Sequence, residues 1–412
     1  MLFPRPPSEQ FERVVVTGIG IITALGHGWK KNSDGFQTGR RSFRPVTVFD
    51  AAKHKIKIAA EVDLPDSIPF GKLHRRQQRR LDRAEKLLLI AAEEAWQQAQ
   101  LGDVKYLPVV LGTTSGGMAQ GENYYRQAIE KPHSRRNQAS RVIHYLAQSQ
   151  PKILAQAFGF SRPSLIIANA CASGANAIGH AWEMIRSGGA EKVLTGGYDA
   201  LSEMVFAGFG SLQALSPTQC RPFDARRDGL ALGEGAAVLI LESLAHARKR
   251  GAKILGEISG YGAATDIHHL TQPHPDGDAA LQSMREACAA AGVTPEKIDY
   301  INAHGTATPL NDSAEANAIA RWAGECVQKI PVSSTKAGIG HLLGGAGAVE
   351  AAICLMALEG QWLPPMTNLN EPDPICRFPL VREPQSAKLE NVLSNSFGFG
   401  GANATLIFRR CS

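Results

Sequence analysis

Short apolar runs that end in small polar residues recur along the chain, and stretches with helical spacing of large apolar side chains separate them. The runs predict buried strands at residues 13–23, 107–113, 165–167, 192–196, 234–242, 254–262 and 298–303. The helical spacing predicts helices at 81–100 and 277–292, and a helical region over 118–160 that is broken at Pro132. Residues 27–80 are polar and irregular. Strands that alternate with helices in this way indicate an α/β fold.

One stretch, residues 164–187, combines a strand, a tight turn and a helix. The run Leu165-Ile166-Ile167 predicts a buried strand, and Cys171 lies at the apex of the turn that follows. A helix N-terminus has free N–H groups and a partial positive charge, so this position is expected to favour a thiolate. A buried, inert core cysteine is an equally good interpretation of this stretch alone.

The two halves of the chain repeat one plan. The segments LIIANACASGANAIGHAWEMIRSG and IPVSSTKAGIGHLLGGAGAVEAAICLMALEG each read as strand, small polar turn, Gly/Ala-rich helix and glycine stop. GEGAAVLILE likewise parallels GGANATLIFR. The repeat predicts a duplicated fold with mixed sheets and buried Ala/Gly-rich helices between them. We divide the chain into a surface arm at 1–12, an N-terminal half at 13–250 and a C-terminal half at 251–412.

Composition narrows the class of protein. Of 412 residues, 44% are hydrophobic and 20% charged, as in globular proteins with a sizeable core. No run approaches about 18 uninterrupted apolar residues, so no membrane span is expected. The seven cysteines form no CxxC pair, which favours a reduced, cytoplasmic compartment without structural zinc. The GxG turn after the first strand lacks a third glycine, because Thr23 stands there, and is not a dinucleotide fingerprint.

Basic residues concentrate at 72–86 and 131–141, within a net charge of +6. No aromatic residues interleave the first cluster and no nucleic-acid motif accompanies it. A solvated helix face and a docking site for an acidic partner remain the two interpretations.

Two histidines stand at glycine-flanked ends of predicted strands. His304 lies in INAHGTATPLND and His341 in SSTKAGIGHLLGGAGAVE. Each alone is more often a structural histidine. Domains of this class place ligands at such strand ends, so His304, His341 and Cys171 are predicted to converge at the junction of the two halves.

Five motifs in order resemble the β-ketoacyl-acyl-carrier-protein synthases, elongating type I/II members of the thiolase-like, condensing-enzyme superfamily. They are ACASG, RPFDARRDGLALGEGA, NAHGTATPLND, STKAGIGHLLGGAGAVE and NSFGFGGANATLIF, and the resemblance spans about Arg13 to Phe408. It implies a thiolase-like, internally duplicated five-layered αβαβα fold with mixed sheets. It also implies a soluble acyltransferase, a 3-oxoacyl-[acyl-carrier-protein] synthase II-like enzyme, that forms a homodimer and works with acyl- and malonyl-loaded carrier protein.

The resemblance also implies a catalytic site. Cys171 is expected to take the acyl chain as a thioester, with an oxyanion hole formed by the backbone N–H groups of Cys171 and Phe399. His304 and His341 are expected to stabilise the enolate that malonyl decarboxylation leaves, and Lys336 to act electrostatically and by positioning. No metal or redox cofactor is implied, because the phosphopantetheine arrives on the carrier protein.

Other positions are expected to support this site. Glu350 and Asp312 resemble acidic residues that hold the network, although a plain structural salt bridge is as good an interpretation of each. Thr306 and Thr308 resemble hydroxyls that bind pantetheine. Phe399 resembles a gate residue, with mobile glycine neighbours, and Phe209 is expected to line the acyl pocket. The basic clusters predict carrier-protein docking at Arg75, Arg76, Arg79, Arg135 and Arg136.

The chain departs from the family pattern in three places. The segments TKAGIGH and LALGEG differ from the usual family motifs, and residues 114–145 match the housekeeping members of the family poorly. The departures leave open the acyl chain length, the primer and the pathway. The alternatives are a specialised polyketide or polyene ketosynthase working with a partner subunit and a non-elongating, chain-length-factor-like subunit, although the latter typically lacks the cysteine. A thiolase or an initiating synthase is disfavoured, because no second catalytic cysteine is evident and His341 stands where initiating enzymes carry Asn.

Overall fold

The computed structural model describes residues 11–102, 104–131, 143–161 and 164–411. The strands are β1 (Val14–Thr23), β2 (Gly26–His27), β3 (Arg44–Pro45), β4 (Ile58–Ala59), β5 (Val109–Gly112), β6 (Ser164–Ile167), β7 (Lys192–Asp199), β8 (Gly235–Ser243), β9 (Gly256–Thr265), β10 (Tyr300–Asn302), β11 (Val332–Ser333), β12 (Trp362–Leu363), β13 (Gln385–Ser386), β14 (Asn391–Phe397) and β15 (Ala402–Arg409).

Helices separate most of these strands. They are α1 (Trp29–Gln37), α2 (Arg75–Gln78), α3 (Arg83–Ala99), α4 (Met118–Glu130), α5 (Ser149–Phe158), α6 (Ser173–Arg186), α7 (Glu203–Ser211), α8 (Leu244–Lys249), α9 (Asp278–Ala291), α10 (Pro309–Ala323), α11 (Lys336–Ile339) and α12 (Ala346–Gly360). Short 3₁₀ turns occur at Ile143–Tyr145, Ala170–Ala172, Pro295–Lys297, Gly324–Lys329 and Leu343–Gly345.

The strand order shows the internal duplication directly. The N-terminal half runs β6-β5-β7-β8-β1 and the C-terminal half runs β11-β10-β14-β15-β9. In each half the first three strands of that order are parallel to one another, and the last two are antiparallel to their neighbours. Three residue pairs between β1 and β9, beginning at Val14 and Ile258, join the two sheets into one mixed sheet.

Five layers follow from how the helices cover these sheets. Helices α6 and α12 pack against each other in the middle, between the two halves of the sheet. Helix α3 covers the outer face of the N-terminal half, and α9 covers the outer face of the C-terminal half. The predicted αβαβα architecture is thereby confirmed. The division at residue 250 remains a prediction, and most of the 1–12 arm lies outside the described residues.

The central helix α12 is long and apolar and lies in the core of the fold. The window Leu343–Gly360 has a mean hydropathy of 1.4, enough by length and composition to cross a bilayer. Within the fold 89% of that window is buried, because α12 is enclosed by both sheets and by α6. A helix that is apolar all round is typical of the core of a large protein.

Several predicted elements need correction. The strand at 165–167 is not buried: Leu165 is 43% exposed, because β6 is the edge strand of the sheet. The region 27–80, predicted to be irregular, contains α1 and α2. The helical region at 118–160 resolves into α4 and α5, and residues 132–142 between them, including Pro132, lie outside the described residues.

Candidate active site

Cys171 lies on a strained turn between β6 and α6. It occupies the middle of the 3₁₀ turn Ala170–Ala172, directly after Ala170, whose φ of 56° is in the left-handed region. Ser173 fixes the turn: its Oγ donates to the Ala170 carbonyl at 2.5 Å and accepts from the Asn169 N–H at 3.0 Å. The thiol is therefore held at the beginning of α6, as the sequence pattern predicts.

The electrostatic expectation for this thiol is wrong. Burial raises the pKa of Cys171 to about 12, against the opposing effects of the Lys336 ammonium and of a hydrogen bond from the Phe399 backbone N–H. The residue is only 6% exposed, and loss of water disfavours the anion. Cys171 is a thiol at rest, and its proton must be moved during the reaction.

The loop after β10 positions His304 through its backbone. Glu315 on α10 accepts hydrogen bonds from the N–H groups of His304 and Gly305, each at 2.8 Å. Asp312, at the beginning of the same helix, accepts from the N–H groups of Thr306 at 3.0 Å and Ala307 at 3.2 Å. Asp312 therefore does hold the His304 loop, and it also accepts from the Phe223 N–H at 2.8 Å.

His341 enters the site from the turn between α11 and α12. Its N–H donates to the Ala231 carbonyl at 2.7 Å, and its carbonyl accepts from the Gly233 N–H at 3.0 Å. Its ring is 1% exposed, and neither ring nitrogen has a hydrogen-bond partner among the described residues. The two imidazoles meet edge to face, with centroids 5.3 Å apart and planes at 84°. Such a ring is ready to bind an atom that a substrate supplies.

A buried ion pair lies behind the two rings. The Lys336 ammonium donates to the His304 carbonyl at 2.6 Å and forms an ion pair with Glu350, and its Nζ is 3.5 Å from His304 Nδ1. Burial, together with the Lys336 charge, holds the pKa of His304 and that of His341 well below the ordinary value. Both imidazoles are consequently neutral near pH 7, and a neutral imidazole can donate one N–H.

Cys171, His304 and His341 line one cavity of about 380 Å³. Thr306 and Thr308 also line it, with their hydroxyl oxygens 2.9 Å apart. The structure therefore brings together a thiol from the N-terminal half and two imidazoles from the C-terminal half, as predicted. Lys336, Glu350 and Asp312 lie behind the cavity wall and do not line it.

Two aromatic rings form part of the same wall. Phe209 and Phe399 stack with centroids 5.9 Å apart and planes at 25°, and Phe399 is 37% exposed. A Cβ atom at Gly398 would lie 3.0 Å from the Asn169 carbonyl oxygen and 3.2 Å from the Cys171 nitrogen, so the glycine lets the Phe399 peptide approach the turn closely. The Phe399 backbone N–H donates a hydrogen bond to the Cys171 sulfur, and its part in an oxyanion hole remains a prediction.

Sequence reasoning missed two buried carboxylates. Glu315 holds the His304 loop. Burial raises the pKa of Glu315 to about 7, although the hydrogen bonds that it accepts from backbone N–H groups oppose this rise. Asp199 accepts five hydrogen bonds, from Thr113 Oγ1, the N–H groups of Thr114 and Ser115, Ser115 Oγ and the Gly344 N–H. The signal for Glu315 was its place one helical turn after Asp312. No signal marked Asp199, since its partners come from distant segments.

The predicted docking arginines are only partly described. Arg75, Arg76 and Arg79 are exposed on and beside the short helix α2. Arg135 and Arg136 lie outside the described residues. Docking at these positions remains a prediction.

Comparisons with known proteins fit this geometry. Residues 11–247 match the model of the β-ketoacyl synthase N-terminal domain, and residues 255–370 match that of the C-terminal domain. The 3-oxoacyl-[acyl-carrier-protein] synthase 2 of Synechocystis sp. is 39% identical over 411 residues, 97% of this chain and 98% of that protein.

Solved structures share the fold over nearly the whole chain. The ishigamide ketosynthase/chain length factor is similar with a TM-score of 0.90 and 33% identity, covering 98% of this chain and 100% of that one. A type II PKS ketosynthase in complex with its acyl-carrier protein has a TM-score of 0.88 and 29% identity, covering 98% and 100%.

The fold and site define a condensing enzyme of thiolase-like architecture. Within that class, the chain belongs to the β-ketoacyl synthase family.

Proposed function

We propose that this protein joins an acyl chain, held on Cys171, to malonyl-carrier protein by decarboxylative Claisen condensation, giving a 3-oxoacyl-carrier protein. The observation that carries the proposal is the convergence of Cys171, His304 and His341 on one cavity, with both ring nitrogens of His341 unpartnered among the described residues. The similarity to 3-oxoacyl-[acyl-carrier-protein] synthase 2 over nearly the full length supports this reaction class.

In the first step Cys171 attacks the acyl thioester. The carbonyl oxygen gains negative charge, and the N–H groups of Cys171 and Phe399 stabilise it. The thiol proton ends on the departing pantetheine sulfur, which leaves as a thiol. One thioester replaces another, so the acyl-enzyme is close in free energy to the substrate.

In the second step the malonyl group loses carbon dioxide. The bond between its carboxyl carbon and its α-carbon breaks, and the electron pair passes into an enolate. N–H donors of His304 and His341 stabilise the enolate oxygen, and the α-carbon then attacks the acyl-Cys171 carbonyl. Lys336 and Glu350 position His304 from behind and set the local charge. No metal or redox cofactor enters this scheme.

The surroundings of the cavity complete the proposal. Thr306 and Thr308 bind the pantetheine arm, Phe399 gates entry, and Phe209 lines the acyl pocket. The carrier protein docks on the arginines at 75, 76, 79, 135 and 136, as an acidic partner would on a basic face. We propose a cytoplasmic location, which agrees with seven free cysteines.

A second copy of the chain is the proposed subunit partner. Strand β6 ends the sheet with an edge that no described strand covers, and Leu165 on this strand is 43% exposed. An open strand edge with apolar side chains favours pairing with another chain. A related subunit in place of the second copy is the competing arrangement, favoured by the similarity to a ketosynthase/chain length factor.

The reaction is tested with purified protein, acyl-carrier proteins of varied length and unsaturation, and malonyl-carrier protein. We expect a product two carbons longer, detected by intact mass of the carrier protein, and no product from a Cys171→Ala variant. Full condensation by Cys171→Ala would reject the proposal. Wild-type protein that is active only after addition of a related subunit would favour the heterodimer.

A further inference from the structure

One buried polar side chain in the cavity wall has no role in the scheme above. Of the polar side chains that line the cavity, five are also buried in the described part of the chain: Cys171, His304, Thr306, His341 and Asn403. Asn403 is 7% exposed, and its amide makes no hydrogen bond to any other described residue. Its polar atoms are not among the fully enclosed, unpartnered ones, so they face the cavity, where a ligand or water can complete their hydrogen bonds.

The strand register places Asn403 beside the two imidazoles. Asn403 on β15 pairs with Phe397 on β14, and the Phe397 ring lies 5.6 Å from the His304 ring. Side chains of directly paired residues project from the same face of an antiparallel sheet. Asn403 therefore lies on the His304 side of the hairpin, in the buried part of the wall, whereas Gln272 and His269 line the exposed mouth.

The charges of the cavity lining indicate which substrate group this amide binds. The described cavity lining contains neither lysine nor arginine, and its two carboxylates, Asp228 and Asp266, would repel an anion. A malonyl group nevertheless brings a carboxylate into this space. A cation would stabilise that carboxylate and oppose its loss, whereas a neutral N–H donor can orient it at a smaller ground-state cost.

We propose that the side-chain amide of Asn403 donates a hydrogen bond to the malonyl carboxylate and orients it for decarboxylation. The inference rests on the proposed function, and it assigns the carboxylate a partner separate from the two histidines. As carbon dioxide leaves, the negative charge passes from the carboxylate to the enolate oxygen. The hydrogen bond from Asn403 orients the carboxylate. The interaction energy gained at His304 and His341 is what accelerates the step.

The test compares two half-reactions in Asn403→Ala and in the isosteric Asn403→Asp, with Gln282→Ala as the control, since Gln282 is an exposed amide on α9 outside the cavity lining. Acyl loading of Cys171 needs no malonyl group, so we expect its rate to stay within about twofold. We expect the KM for malonyl-carrier protein to rise about tenfold to a hundredfold in Asn403→Ala, as for loss of a hydrogen bond to a charged group. The rise should be larger in Asn403→Asp, and Gln282→Ala should behave as wild type.

Loading that falls in parallel with condensation, or an unchanged KM in both variants, would overturn the inference. If Asn403→Ala does not fold, Asn403→Ser retains a small donor and should show an intermediate rise in the KM for malonyl-carrier protein with normal loading of Cys171. Asn403→Gly has no donor, so a wild-type KM in that variant would also overturn the inference. Wild-type protein that does not condense at all would instead reject the proposed function.

Discussion

The two halves of the molecule share a strand order, but the outer edge strand is covered in one half and open in the other. In the C-terminal half, β11 is covered on its outer side by its own chain, since the Val332 N–H donates to the Pro379 carbonyl at 2.9 Å and its carbonyl accepts from the Val381 N–H at 3.1 Å. In the N-terminal half, no described strand covers β6. A duplicated fold has thus closed one edge and left the equivalent edge open to a partner.

The two halves also contribute different side chains to the site. The turn after β6 carries the proposed nucleophile Cys171, the turn after β10 carries His304, and the turn between α11 and α12 carries His341. All three turns contain a non-glycine residue with positive φ, at Ala170, Ala307 and Leu343. The repeat places the turn before α6, with Ala170, opposite the turn before α12, with Leu343, and the two halves differ in which side chain each of these turns presents.

The largest effect should come from removing an imidazole. We expect His341→Ala to load Cys171 at nearly the wild-type rate but to lose malonyl decarboxylation by about 10²–10³-fold, as for an oxyanion donor. Carbon dioxide release and intact mass of the enzyme measure the two steps separately. If loading and decarboxylation fell together, the assignment of one step to each half would be incorrect.

The next effect concerns the ion pair behind the C-terminal turns. Lys336→Met should leave Glu350 buried without a partner and lower the free energy of unfolding by about 3–5 kcal/mol. The double variant Lys336→Met/Glu350→Leu should recover much of that loss, because no unpaired charge remains. Urea unfolding measures both; a double variant as unstable as the single one would show that the pair is not the cause.

The open edge gives a smaller effect on assembly. Leu165→Lys places a charge on β6 and should raise the Kd of the dimer about tenfold or more without unfolding the chain. Ile267→Lys, at a position that is 94% exposed in the C-terminal half, is the control and should leave the Kd unchanged. Light scattering over a dilution series measures this, and an unaltered dimer in Leu165→Lys would place the subunit contact elsewhere.

The last prediction concerns how the reactivity of Cys171 depends on pH. Because burial raises the pKa of Cys171 to about 12, the reactive thiolate is a small fraction at pH 7 that grows with each unit of pH. The rate of iodoacetamide labelling at Cys171, followed by peptide mapping, should rise about tenfold per pH unit up to pH 9 without a plateau. A plateau below pH 8 would restore the thiolate that the helix terminus alone predicts.

Local pattern sufficed for most of the fold. Helix α3 was predicted to within two residues at its beginning and one at its end, because its apolar stripe is a local feature. The echo between the halves predicted the duplication. The exposure of β6 was missed, since an apolar run does not reveal whether its strand lies at the edge.

The site shows the same limit. Cys171, His304 and His341 were found because each follows a strand in a glycine-rich motif. The charge state of Cys171 was not, since burial by both halves disfavours the anion and depends on the assembled fold. Asn403 and Asp199 were also missed, because only strand register and distant turns bring them to the cavity or its supports.

The central claim is that a thiol from one half and two imidazoles from the other act on one substrate pair in one cavity. A single-turnover experiment tests it most directly: the enzyme is loaded with an acyl group, freed of excess donor and mixed with malonyl-carrier protein. We predict that the acyl adduct, mapped to Cys171, disappears with release of an equal amount of carbon dioxide and appearance of the elongated carrier. An adduct that persists while elongated product accumulates would contradict the account.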